Sequence, residues 1–529
     1  MMWSLSGRST PLQPGIITRA LKSPSLLLAS LLLPVYFALR IQRLNESLWI
    51  HEVFSYWANT RTWEAFVLTL RQDGHPPLHT IFNFFWRQLA GGSELLARVP
   101  SVVTSLSLLY LIYFRTTRYV STSTRSVAAL LLILSPIDIW FSTEVRAYGP
   151  VMCLLFMSTL LTVETLEQAD VPKRTRWLLY GALTCTSLLH YYTLPAIAVI
   201  GICAAAKGVR RHRGILISCF IVAAVTAGLI AFRGTSVQGA SHLRPFNSHE
   251  LWKLIFDFFF FGASLDLGDS QSLFERVLQR NHRLDIFLLH LAALLFFVRG
   301  TYLSIKDFCL SMSMFSLFVV LVPTGCIVAV YLFSTIVVAN SYTERSLAML
   351  LPFFALVVGR GAGDFKAVPV RFLSLTCLSV LALYVLINVF SRRDHFTVNA
   401  PRSDWRSAFE YIDATTASAR KPVVISASNY GIRIAEFYHR FIFSGANRPP
   451  VYTVMHSDIR TDTKSMCNLN AHHYFYVVDT FALPPEDVGS LRRLMSSGPL
   501  HLVSVEQMRG IKIFRFVPFL LSRCIGANR

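Results

Sequence analysis

About eleven stretches of mainly apolar residues dominate this chain, at approximately 23–40, 98–114, 126–141, 148–166, 177–190, 193–206, 214–232, 285–304, 308–337, 346–360 and 369–390. A bilayer core takes roughly 20 such residues as a helix, because a helix satisfies its backbone N–H and C=O groups within its own segment. The sequence therefore predicts a multi-pass α-helical membrane protein of about eleven spans. Composition agrees, since 53% of the 529 residues are hydrophobic and only 15% charged, unlike three or four soluble domains of the same total length. Fifty Lys+Arg against thirty Asp+Glu leave a net charge of +20, which in a soluble chain would point to nucleic acid.

The position of the cations argues against that partner. With Arg8, Arg19 and Lys22 inside, every second loop is basic: Arg115, Arg118 and Arg125; Lys173, Arg174 and Arg176; Lys207, Arg210, Arg211 and Arg213; Arg299 and Lys306; Arg360, Lys366 and Arg371. This is the positive-inside pattern, and an odd number of spans puts the N-terminus inside and the C-terminus outside. The first apolar run lacks a small-residue cleavage site and reads as an anchor rather than a removed signal peptide. One stretch, 76–91, would invert all later loops if counted as a span. With Phe82, Phe84, Phe85 and Trp86 it reads as a helix lying in the outer leaflet.

Three parts follow: a cytoplasmic tail (1–22), a transmembrane domain (23–390) with a first outer loop at 41–97, and an extracytoplasmic domain (391–529). In the last, shorter apolar runs alternate between helical patterns (403–417, 431–440, 486–496) and strand patterns (422–426, 451–454, 474–478, 500–505, 511–516), as in a small soluble α/β domain. Seven of the nine cysteines fall in apolar runs, leaving only Cys467 and Cys524 as candidates for a disulfide.

On this map the unusual polar residues collect on the outer side, where ionisable groups at the membrane boundary are costly unless paired or functional. In Leu48-Trp49-Ile50-His51-Glu52-Val53, a short helix puts Trp49, Val53 and Trp57 on one face. His51 and Glu52 then point about 100° apart, so that one of them faces a cleft as a proton acceptor or both are ordinary surface groups. Asp73-Gly74-His75-Pro76-Pro77 either caps a helix beginning at Pro76 or adds Asp73 and His75 to the same loop's chemistry. In the hinge 142–150, Arg146 suits a phosphate, since guanidinium forks match its oxygens, or else pairs with Glu144 beside Tyr148. Arg345, next to Tyr342 and Glu344, allows the same two readings. His190-Tyr191-Tyr192 divides a long apolar run, and 247–263 reads as amphipathic and interfacial.

The ordered series Leu48-Trp49-Ile50-His51-Glu52, Asp73-Gly74-His75-Pro76-Pro77-Leu78, Gly91-Gly92-Ser93-Glu94-Leu95-Leu96-Ala97-Arg98-Val99-Pro100-Ser101 and Glu144-Val145-Arg146-Ala147-Tyr148 resembles the polyprenyl-phosphate-dependent glycosyltransferases of the C-type membrane fold. That group includes protein O-mannosyltransferase-like and aminoarabinose transferase-like enzymes. The resemblance implies a membrane enzyme that takes a sugar from a polyprenyl-phosphate carrier and passes it to a lipid, glycan or protein acceptor outside the cytoplasm, in a bacterial inner membrane. His51 stands where the family has Asp, while Glu52 matches. The catalytic base is then among Glu52, His51 and Asp73, with His75, Glu144, Arg146, Tyr148, His190, Tyr191 and Arg345 as substrate-binding candidates. No tight ligand cluster implies a metal, although a divalent cation could arrive with the phosphate. The alternatives are a lipid-linked glycan ligase or polymerase, a scaffold without activity, or a transporter. Against the last, the chain shows no internal repeat.

Overall fold

The computed structural model describes residues 24–58, 62–72, 75–168, 170–233, 284–337, 344–391 and 404–416, five strands between 423 and 518, and a few isolated residues. Helices occupy all eleven apolar stretches. Among the described residues, six are long and apolar enough to cross a membrane: Glu94–Arg115, Tyr148–Glu167, Tyr191–Gly208, Arg213–Ala231, Met314–Ile336 and Arg345–Gly363. The pair Thr122–Leu134 and Pro136–Ser142, bent by 64°, makes a seventh if taken as one span. The chain is an integral membrane protein.

The segment Arg345–Gly363 runs through the centre, almost wholly buried. It packs against Thr122–Leu134, Leu284–Ser311 and Tyr148–Glu167. Small residues permit this. A Cβ on Gly300 would collide with the carbonyl of Val357, and one on Gly361 with the carbonyl of Phe296, so these two helices touch backbone to backbone.

Three spans carry polar groups at both ends and so fix two separate rims. One rim holds Arg98, Tyr148 and Arg345. At the other, Arg115 pairs with Glu164 at 2.6 Å, and Arg360 with Asp307 at 3.2 Å and Asp364 at 3.6 Å.

The stretch at 76–91 forms the helix Leu78–Ala90, whose 13 residues reach only about 20 Å at 1.5 Å each. Its inner face is polar: Asn83 is buried and donates to the Ser55 carbonyl at 3.0 Å. Phe82, Phe85 and Leu89 point outward, the arrangement of a helix lying at a bilayer boundary. His75 does not cap it. The first helical residue is Leu78 and Pro77, already in helical backbone conformation, occupies the cap position without a side-chain bond, because a proline disfavours the helical region in the residue before it and so keeps Pro76 out of the helix.

In the C-terminal part, strands β1 (Val423–Ser426), β2 (Tyr452–Met455), β3 (Tyr474–Asp479), β4 (Leu500–Met508) and β5 (Ile511–Pro518) form one sheet in the order β2-β1-β3-β5-β4. β1 is parallel to both neighbours and β5 antiparallel to both of its own. Helical patterns at 431–440 and 486–496 lie outside the described residues, apart from Ile434, Phe437 and Tyr438, as do Cys467 and Cys524.

The helix Trp405–Thr416 buries Trp405, Ala408, Phe409 and Ile412, one stripe at helical spacing. With Ile434, Phe437, Tyr438 and Ile513 they form a second core against Leu48, Val53, Tyr56 and Trp57 of the first loop. The sheet and the first loop thus share one side of the protein. Polar stitches fix the contact: Ser47 donates to Asp404 at 3.1 Å, Arg406 pairs with Glu94, and the Tyr438 hydroxyl accepts from Leu48 N at 2.6 Å while donating to Glu94 at 2.7 Å. Burial pushes that hydroxyl's pKa well above the ordinary tyrosine value, so it stays a donor. Tyr438→Phe leaves Leu48 N without its acceptor and Glu94 with one donor fewer, and is expected to cost about 1–3 kcal/mol, read as a lower melting temperature in detergent micelles.

Candidate functional site

Residues 43–58 form the floor of the rim that holds Arg98, Tyr148 and Arg345. After the first helix ends at Leu44, the chain turns and re-enters a single α turn, Ile50–Val53, continued by a π turn, Phe54–Ala58. Glu52 is the third residue of that turn and accepts from Trp49 N at 3.2 Å, the return half of a capping box. Trp49 precedes the helical turn and packs towards Trp140, whereas Val53 and Trp57 enter the second core together, so the expected shared face holds for those two and not for Trp49.

Glu52 is fully buried. Arg98 donates to both its oxygens, Nε to Oε1 at 3.0 Å and Nη2 to Oε2 at 2.8 Å, and Val145 N reaches Oε1 at 3.0 Å. The same guanidinium donates to the carbonyls of Arg43, Leu44, Glu46 and Ser47. One arginine therefore closes the 43–47 turn and holds the carboxylate, while the Val145 bond ties the first loop to the hinge before Tyr148.

His51, next along the turn, is half-buried and lies edge to face on Trp49 at 4.7 Å. Trp49 meets Trp140 at 5.7 Å, and the Arg345 guanidinium stands 5.6 Å from its ring, within cation–π range. On the other side, Arg146 donates to Ser55 at 2.9 Å and lies 5.8 Å from the Tyr148 ring. Tyr148 is 5.9 Å from His190, and His190 is 6.4 Å from the exposed His75. His190 ends the helix Lys173–Leu189, and its Nδ1 accepts from Tyr192 N at 3.3 Å. Half-buried Tyr191 follows in the same turn. Glu144 is buried in the hinge, where its carbonyl accepts from Ser101 Oγ at 2.6 Å.

The rim thus brings His51, Arg146, Tyr148, His190, His75 and Arg345 around residues 49–55. Asp73, Tyr342 and most of 247–263 lie outside the described residues. Three contributors escape a reading of the sequence: Ser55, Trp140 and the pairing of Arg98. A buried arginine near the start of an apolar span is the available signal for the last. Among the described residues no group of three or more His, Cys, Asp or Glu is arranged to hold a metal.

No protein-family model matches the chain, and no curated protein matches it by sequence. Solved structures do. ArnT from Cupriavidus metallidurans in the apo state superimposes with a TM-score of 0.54 at 12% identity, over 93% of this chain and 97% of that one. The same protein bound to undecaprenyl phosphate gives 0.52 at 12% identity over the same shares. Along nearly the whole length of both, the chain has the fold of ArnT.

Proposed function

We propose that the protein is a polyprenyl-phosphate-dependent glycosyltransferase of eleven spans, N-terminus in the cytoplasm, with its site on the extracytoplasmic rim. The observation that carries this reading is the presence of two arginines, Arg146 on Ser55 and Arg345 on Trp49, at residues that flank His51 along the chain, in a fold shared with a structure bound to undecaprenyl phosphate. A guanidinium fork matches a phosphate diester, and aromatic walls at Trp49 and Tyr148 suit a sugar face.

In the reaction, the acceptor hydroxyl attacks the anomeric carbon and gives its proton to a base, His51 or Asp73. The bond from that carbon to the phosphate oxygen breaks, and its electron pair leaves with polyprenyl phosphate. Positive character builds at the sugar and negative charge at the phosphate, where the arginines stabilise it. A phosphate is acidic enough to leave without a proton. Glu52, held by Arg98, Trp49 N and Val145 N, keeps the turn in place in this reading.

Purified protein in liposomes, given undecaprenyl-phosphate-linked sugars together with a membrane extract of the producing cells as the source of acceptor, is expected to move the sugar from its lipid phosphate to that acceptor. Arg146→Ala should lower kcat/KM about 10²–10³-fold. A sugar that crosses the bilayer without consumption of the lipid-linked donor would instead make the protein a transporter.

A further inference from the structure

Arg40, from the helix Pro24–Leu44, is 1% exposed. Its Nε donates to Ser142 Oγ at 2.8 Å, Nη1 to the carbonyls of Tyr36 at 3.1 Å and Ile133 at 3.3 Å, and Nη2 to Asp138 Oδ2 at 2.6 Å. Three of these acceptors belong to the bent pair. Ile133 lies in the last turn of Thr122–Leu134, Asp138 in the first turn of Pro136–Ser142, and Ser142 at the latter's end.

The break at Ser135–Pro136 releases carbonyls that a continuous helix would have satisfied, in a region where water does not replace the lost bonds. One planar guanidinium bridges the gap from a third helix. Ser105 of a fourth helix also donates to Asp138 Oδ2, at 2.9 Å.

A buried ion pair is a weak source of net stability compared with apolar packing of equal volume, so its value here must lie in what it fixes. All seven residues of Pro136–Ser142 are buried. Trp140, which backs Trp49, belongs to it. Four residues past Ser142 stands Arg146, after Val145, whose N–H holds Glu52. A tilt of this short helix would move the wall and the cation of the site together.

We infer that Arg40, braced by Asp138, is a positioning residue that splints the two halves of the broken helix and so sets where Trp140 and Arg146 stand. The effect on substrate rests on the reading of Arg146 as a phosphate ligand; the geometric effect does not.

The test uses the full chain in detergent micelles with Val145→Cys as reporter, since Val145 is 3% exposed, and with labelling sites mapped by mass spectrometry. Arg40→Lys keeps the charge but loses the fork. It should leave elution and melting near the parent's, yet make the reporter thiol reactive to a water-soluble maleimide and weaken binding of undecaprenyl phosphate about tenfold. In an Arg146→Ala background that weakening should vanish, since the two act through one contact. A reporter thiol that stays protected in both Arg40→Lys and the isosteric Asp138→Asn overturns the inference. If Arg40→Lys does not fold, Asp138→Asn alone supplies the readout. If the reporter thiol becomes reactive while Arg146→Ala leaves undecaprenyl phosphate binding unchanged, the splint stands and the phosphate reading falls.

Discussion

Replacing Arg98 with Leu is expected to destabilise the protein by about 3–5 kcal/mol, because it leaves Glu52 as an uncompensated charge in a fully buried site. The loss extends beyond the ion pair. Four carbonyls, of Arg43, Leu44, Glu46 and Ser47, lose their donor at the same time. Arg98→Lys should recover little, since an ammonium offers a point charge where the site uses a planar fork towards both carboxylate oxygens and the turn. Glu52→Leu alone strands the guanidinium, whereas Arg98→Leu combined with Glu52→Leu removes both charges and should cost less than the sum of the single changes. Thermal unfolding in micelles measures all four variants. Singles that each melt within a degree of the parent would mean that the pair is solvated, against the burial described above.

Much of the helical layout is legible in the sequence because length and apolarity alone specify a span. The two polar rims are legible because loop charge alternates along the chain, so the helix ends gather Arg98, Arg146 and Arg345 apart from Arg115 and Arg360. Strand stretches can be read from alternating and β-branched residues, but not their order, since β5 pairs with β3 across β4 in sequence. Partnership is the part that stays hidden. Glu52 and Arg98 are 46 residues apart, Arg40 and Asp138 98, and Leu48 and Tyr438 390. No local pattern encodes which of several buried charges will meet. The start of the helical turn at Ile50 leaves no mark in composition either, yet it leaves Trp49 outside the helix and sends it to a different core from Val53 and Trp57. Glu52 is one of three candidates for the base in the sequence, and its donors Arg98 and Val145 N come from positions that no local pattern links to it.

His51→Ala is expected to lower kcat about 10²–10⁴-fold, the usual worth of a general base, with little change in melting temperature or in affinity for undecaprenyl phosphate. The geometry separates these effects. His51 is half-buried and lies edge to face on Trp49, so its removal empties no core. Arg146 and Arg345 keep their own supports on Ser55 and Trp49. A base must be unprotonated to act, so the group at this position sets the acid limb of the parent's pH profile. His51→Asp installs the carboxylate that the resembling family carries. It should restore activity and move the acid limb of the pH profile to lower pH, because a carboxylate remains ionised where an imidazole is already protonated. Glu52→Gln gives the contrasting signature: lower stability and lower activity together, with the acid limb where it was. A kcat and an acid limb both untouched in His51→Ala would remove this residue from the chemistry and leave Asp73 as the base to examine.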